Sequence, residues 1–246
     1  MANDDSNAPA KETGAPMSND ETRNAMLTKI RRVQATDKLD AKRRQAVLGR
    51  LKSHPRNLIP NRGEGDTQHH VKLFTKMMQA ANTSVEEVKT PGDIPRAVAN
   101  YLRENNLPQR IRHGKDPALT GLTWSSTPSL ERSEGRARIN DEVSLSRAFG
   151  AVAESGTLIL ASGQDNPTTL NFLPENHIVL VEAGRIAGNY EDVWDQIRRH
   201  YGEAVLPRTV NFISGPSRTG DIEQRMELGA HGPKRLHVII RNPETS

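Results

Sequence analysis

"HIVLVEA", residues 177–183, and "LHVIIR", residues 236–241, decide how the rest of this chain is read. Both runs are short and dominated by β-branched residues, with no regular polar position to mark a wet face. Such runs suit strands buried on both sides, as in a largely parallel sheet. "GTLILAS" (156–162) and "TVNFIS" (209–214) read the same way, and "SVEEVKT" (84–90) and "RIRHG" (110–114) as shorter strands. Helical patterns fall between them. A helix opening near Gln68 carries Val71, Phe74, Met77 and Met78 on one side, and "DIPRAVANYLRENNL" (93–107) and "NYEDVWDQIRRHYG" (189–202) are amphipathic. "DEVSLSRAFGAVAESG" (141–156) is also predicted helical, with Leu145, Ala148 and Phe149 turned inward. Strands alternating with helices predict an α/β class: a largely parallel sheet flanked by helices on both faces.

Outward from this body, residues 1–20 lack periodic apolar positions and are rich in Pro, Gly, Asn and Asp, so they are expected to form a disordered tail. Residues 21–66 are expected to form an N-terminal helical arm and linker, and residues 67–246 the α/β domain. In the arm, a helix over 18–34 can be capped by Ser18, Asn19 or Asp20, with Met26, Leu27, Ile30 and Val33 at helical spacing. A second helix over 40–54 turns Val47, Leu48 and Leu51 inward and its basic residues to solvent. "HPRNLIPNRGEGD" (54–66) is broken by two prolines and two glycines and reads as a connector.

The chain has 246 residues and no cysteine, which excludes disulfides, thiol nucleophiles and thiolate-held metal centres on this chain, and fits a reducing cytoplasm. Its net charge of +4 comes from interspersed charges and its aromatic content is 4%, which argues against a nucleic-acid platform. No apolar run reaches membrane-spanning length. His69 and His70 point about 100° apart on a helix and lack a third ligand at metal-binding spacing, so no metal site is expected there.

Four polar clusters border the apolar strands. "AESGTLILAS" puts Glu154, Ser155, Gly156 and Thr157 at a strand entrance, where a carboxylate needs donors or a proton. "NFLPENHIVLVEA" places His177 at the start of a strand, as a general base or, as the reading favoured here, a packed ring with one backbone hydrogen bond. "SGPSRTGDIE" (214–223) supplies hydroxyls and open backbone amides at Ser214, Gly215, Ser217 and Thr219 beside the planar cation of Arg218. A helix starting near Thr219 would add amide donors and a favourable dipole; the competing reading is an ordinary helix cap. The cluster matches neither a phosphate loop nor a dinucleotide fingerprint. "LGAHGPKRLHV" displays His231 between glycines, while His237 is expected to pack within the last strand.

In this order and spacing, "AESGTLILAS", "LPENHIVLV", "SGPSRTGDIE" and "GAHGPKRLHVII" resemble the LUD-domain family over roughly residues 70–246, with Gly220 where alanine is expected. The resemblance implies a fold similar to ribose-phosphate isomerase and coenzyme A transferases. It also implies a part in bacterial oxidation of L-lactate to pyruvate alongside iron–sulfur partner subunits. Without cysteine, this chain cannot hold such a cluster through thiolates, so no cofactor of its own is expected and the clusters fall to the partners. The expected role is an accessory subunit that grips a small anion, a carboxylate or phosphate, through Thr157, Ser214, Gly215, Ser217, Arg218 and Thr219. Glu154 or His231 would handle a proton. The alternatives are an acyl or coenzyme A transferase using Glu154 as nucleophile, or a scaffolding or regulatory protein.

Overall fold

The computed structural model describes residues 18–34, 40–202, 205–222 and 225–243. Of the expected tail, residues 1–17 lie outside the described residues. Backbone contacts divide the chain into two units, residues 1–55 and 56–246. The first carries helices α1 (Asn19–Gln34) and α2 (Asp40–Ser53). Ser18 caps α1 reciprocally: its hydroxyl accepts from the Glu21 amide at 3.2 Å, and the Glu21 carboxylate accepts from the Ser18 amide at 2.9 Å. Val47, Leu48 and Leu51, expected to face inward, are all exposed, as are Met26, Ile30 and Val33.

The second unit runs α3 (Thr67–Ala80), β1 (Ser84–Val88), α4 (Ile94–Glu104), β2 (Arg110–His113), α5 (Pro117–Thr120), β3 (Glu131–Glu134) and β4 (Val143–Arg147). It continues through β5 (Gly150–Val152), β6 (Thr157–Ala161), β7 (Asn176–Glu182), β8 (Ile186–Ala187), α6 (Tyr190–Tyr201), β9 (Val210–Ile213), β10 (Arg218–Ile222), β11 (Arg225–Leu228) and β12 (Arg235–Arg241). Six strands form a main sheet in the order β1-β12-β7-β4-β2-β3, parallel at every pairing. The two apolar runs that decided the class, β7 and β12, are adjacent interior strands of it.

Side chains alternate across this sheet as the two-residue period requires. Ile178, Leu180, Ile239, Val143 and Leu145 pack against Ile94, Val98 and Leu102 of α4 and Leu119 of α5. Val179, Val181, Val238 and Ile240 face the other way, onto Phe74 and Met78 of α3 and Leu158 and Leu160 of β6. That second face is therefore covered partly by another sheet, β8-β5-β6-β9, in which β6 is antiparallel to both neighbours. Val193 and Ile197 of α6 close the far side of this small sheet over Val152 and Ile159.

Three further expectations change. Residues 141–156 form β4 and β5 rather than a helix. Leu145, Ala148 and Phe149 fit a helical stripe, but Val143 and Leu145 also alternate with Ser144 and Ser146, and burial between β7 and β2 selects the two-residue period. "GTLILAS" and "TVNFIS" pair antiparallel in the small mixed sheet instead of joining the parallel core. The segment after Thr219 is the β10–β11 hairpin, with Arg218 opposite Leu228, instead of a helix. The hairpin base is held by bonds that a helix would forgo: the Ser217 amide donates to Pro233 O at 2.9 Å and the Gly229 amide to Ser217 O at 3.0 Å.

One backbone crossing pins residues 56–66 to the small sheet. A Cβ on Gly188 would lie 1.8 Å from the Gly63 carbonyl oxygen, and one on Gly63 would lie 2.6 Å from that of Gly188. Two main chains cannot yield as a flexible side chain does. Gly188→Ala is expected to cost about 3 kcal/mol, read as a lower urea midpoint with unchanged slope. A shift worth less than about 0.5 kcal/mol, the scale of an ordinary surface substitution, would mean that the crossing relaxes freely.

Candidate functional site

A cavity of about 340 Å³ opens at the amino edge of β7 and β12. Its floor is set by sheet register: His177 and Leu236 are direct partners in the β7–β12 pairing and lie on the face turned toward the small sheet. Phe212 and Ile213 at the end of β9 form one wall, and the loop carrying Ser214, Gly215, Ser217 and Arg218 continues from them. The turn bearing His231, Gly232 and Pro233 closes the opposite side. These two loops are stitched together, because besides the Ser217–Pro233 bond the Ser217 hydroxyl accepts from the His231 amide at 3.2 Å.

Ser214 is fixed from behind by other hydroxyls. Its Oγ lies 2.6 Å from Thr157 Oγ1, which in turn lies 2.7 Å from Ser155 Oγ and 2.9 Å from Tyr190 Oη. Thr157 is almost fully buried, so the network satisfies a hydroxyl that water does not reach. Arg218 is exposed, and its Nη2 donates to the Ala81 carbonyl just beyond α3, which spends one of five N–H donors and leaves the others for an anion. No carboxylate among the described residues locks it.

Two deeply buried side chains complete the lining. His177 is 1% exposed; its Nε2 shares a 3.1 Å hydrogen bond with Ser146 Oγ, while Nδ1 has no partner among the described residues. Burial pushes this imidazole down to about 3, so it is neutral at ordinary pH and offers Nδ1 as a donor or an acceptor according to tautomer. Asn171 is fully buried with neither amide atom partnered among the described residues. Buried polar groups without partners are costly, and two in the lining of one cavity point to a polar occupant.

Five residues expected at the site therefore meet here: Ser214, Gly215, Ser217, Arg218 and His231. Thr157 touches it only through Ser214. Thr219 sits in β10 opposite Glu227, and Glu154 lies in the turn before β6, so neither lines the cavity. Glu154 is buried with Oε2 lacking a partner among the described residues, and its amide donates to Gly188 O at 3.2 Å. Gly156 closes that turn at φ +59°, with a would-be Cβ 2.8 Å from Met77 Cβ, a conformation and a close approach that glycine alone accommodates without strain. The hairpin removes the helix N-terminus expected beside Arg218, so any anion must be held by side chains and loop amides. His177, read from sequence chiefly as a packed ring, is packed and also lines the cavity. Its place two residues before Val179 assigned its face; only the fold brings the 214–218 loop over it. His237 is packed as expected, stacked on Tyr101 at 4.1 Å with Ser84 Oγ 2.8 Å from Nδ1.

Known proteins resemble this chain in sequence and in fold. A LUD domain family model matches residues 71–240. A "Lactate utilization protein C" of Geobacillus sp. (strain WCH70) is 30% identical over 228 residues, covering 80% of this chain and 92% of that protein. One from Bacillus subtilis (strain 168) is 30% identical over 181 residues, covering 70% and 75%. The namesake from Anoxybacillus flavithermus is 31% identical over 117 residues, where the match spans about half of each protein. The chain likewise spans about half the length of the similar proteins from Geobacillus thermodenitrificans and Shouchella clausii. A crystal structure of a DUF162 family protein from Deinococcus radiodurans superposes with TM-score 0.57 at 20% identity, over 73% of this chain and all of that one. No helix among the described residues is long and apolar enough to cross a membrane.

Proposed function

Since this chain belongs to the LUD domain family, we propose that it serves lactate utilisation as an accessory subunit whose cavity takes a small carboxylate of the lactate–pyruvate type. The observation that supports this most is the convergence of unspent hydrogen-bonding capacity from His177 and Asn171 on the cavity that Arg218 overlooks. A 2-hydroxy or 2-oxo acid matches that donor set. Its carboxylate pairs with the Arg218 guanidinium and the Ser217 hydroxyl. Its second oxygen meets His177 Nδ1 or the Asn171 amide, which can donate to a ketone or accept from a hydroxyl. The neutral imidazole places no fixed charge beside the ligand, so recognition of the anion rests on Arg218.

In this reading the electrons leave through partner subunits that resemble lactate utilisation proteins A and B and carry the iron–sulfur clusters, since a chain without cysteine has no thiolate to ligate them. Glu154 and His231 remain proposals for proton handling, with His231 on the cavity rim and Glu154 away from its lining. The transferase alternative needs Glu154 to meet a thioester, and purified chain incubated with acyl-coenzyme A and hydroxylamine would reveal it by adduct mass.

Calorimetry tests the binding reading directly. Arg218→Ala is expected to weaken lactate or pyruvate binding about tenfold to a hundredfold, the scale of a charge-assisted hydrogen bond lost, without lowering the urea midpoint. His177→Leu is expected to weaken binding as well. Affinity unchanged in both variants, or no binding of either acid to the unaltered chain, would overturn the assignment.

A further inference from the structure

The opposite edge of the main sheet holds a second crevice that the carboxylate site leaves unused. In open α/β sheets, ligands settle outside the carboxyl ends of strands where the chain leaves neighbouring strands in opposite directions. Here β2 and β4 are neighbours. From β2 the chain passes along the α4 side, through α5, to the edge strand β3; from β4 it passes through β5 and β6 of the small sheet on the other side to β7. A crevice of about 190 Å³ lies at this divergence, with Asp116 after β2 and Arg147 at the end of β4 on its walls.

The groups around it are arranged for an anion. Asp116, almost fully buried, accepts from Arg147 Nε at 2.8 Å and Nη2 at 3.1 Å, and also caps α5 by accepting from the Ala118 amide. It therefore holds one edge of the guanidinium in place, and the remaining N–H donors stay in fixed geometry for a ligand. Arg185, exposed just beyond β7, sits 5.9 Å over the Phe149 ring and has no carboxylate partner among the described residues. His200 packs edge-on to Phe149 at 5.3 Å on the same wall. A separate observation points to a polar occupant: Asn166 is 5% exposed, lines the crevice, and its Oδ1 has no partner among the described residues. Asp165 stands on the lip, where a second anion would be repelled but a hydroxyl would be welcomed.

We propose that this crevice binds the phosphoryl group of a small hydroxylated organophosphate, held between Arg147 and Arg185, with its hydroxyls on Asn166 and Asp165. Two arginines from different strand ends suit a doubly charged, tetrahedral anion better than a single carboxylate. The site is independent of the carboxylate cavity and beyond lactate itself; it gives the chain a place to sense or accept a phosphorylated metabolite.

Calorimetry of the full chain with glycerol 3-phosphate and with inorganic phosphate separates the possibilities. Glycerol 3-phosphate is expected to bind, and Arg185→Ala, an exposed position whose loss leaves the core intact, is expected to weaken it by about tenfold or more. Arg218→Ala should leave that affinity unchanged while weakening carboxylate binding, so failure of one site is distinguishable from failure of the other. The proposal is overturned if glycerol 3-phosphate does not bind, if inorganic phosphate alone binds, or if Arg218→Ala rather than Arg185→Ala removes the binding.

Discussion

Between pH 6.5 and pH 4 the protein is expected to lose about 6 kcal/mol of stability, a large share of what holds a domain of ordinary stability folded. Two buried imidazoles are responsible. Desolvation pushes His177 down to about 3 and His237 to about 4, the latter despite its bond with Ser84. In the unfolded chain both return to about 6.5. Below that value the unfolded chain binds protons that the native fold refuses, so stability is fully present above about pH 6.5 and falls as the pH drops. The loss ends near pH 4 for His237 and near pH 3 for His177. Each histidine contributes about 1.4 kcal/mol per pH unit within its window.

Neighbouring charges do little to soften this. His177 faces Ser146 and a cavity with no carboxylate among its lining residues, and the nearest carboxylate to His237 is Glu86, 3.8 Å away and itself raised by burial. Asp93, Asp141 and Asp195, held low by hydrogen bonds to Thr90, Arg112 and Arg56 respectively, reinforce the trend only below the ordinary carboxylate range. Urea titrations between pH 4.5 and 7.5 would measure the slope, and His177→Leu should remove about half of it. A flat profile from pH 6.5 to pH 5 would mean that both rings accept protons without penalty.

The same two histidines show what the amino-acid sequence discloses and what it withholds. The central strands were legible because Ile178 to Val181 and Val238 to Ile240 are apolar on both faces, a pattern that only burial on both faces accommodates. β4 was not legible, because Ser144 and Ser146 break its apolar run. Their burial is tolerable only because Ser144 donates to Leu170 O at 2.6 Å and Ser146 meets His177, partners 26 and 31 residues away. The site divides in the same manner. Ser214, Ser217 and Arg218 announce themselves as donors crowded into one loop, whereas His177 and Asn171 matter because His177 Nδ1 and both Asn171 amide atoms have no partner among the described residues. The hairpin after Thr219 is likewise closed by Pro233 and Ser217, a non-local pairing that outweighs the local helix reading.

Phe74→Ala should destabilise the α/β unit by about 3–5 kcal/mol, more than any surface charge change would. Phe74 is fully buried on α3, in one core cluster with Val179, Val181, Val238 and Ile240 of the main sheet and Leu158 and Leu160 of the small one. Truncating the ring removes contacts to both sheets at once, and rigid strands on two sides leave little freedom for the void to collapse. Met77, one helical turn on, is only partly buried and abuts the Gly156 turn, so Met77→Ala is expected to cost far less. The functional consequence follows from where α3 ends. The Ala81 carbonyl just past it receives the Arg218 guanidinium, and the candidate cavity lies where the main sheet, through His177, meets the small sheet, through Phe212 and Ser214. At temperatures where Phe74→Ala remains folded, carboxylate affinity should therefore fall together with stability, whereas Arg218→Ala lowers affinity alone. A Phe74→Ala protein destabilised by less than about 1 kcal/mol, below the range for such a truncation, would mean that α3 does not bind the two sheets into one body and that the cavity is set by the loops alone.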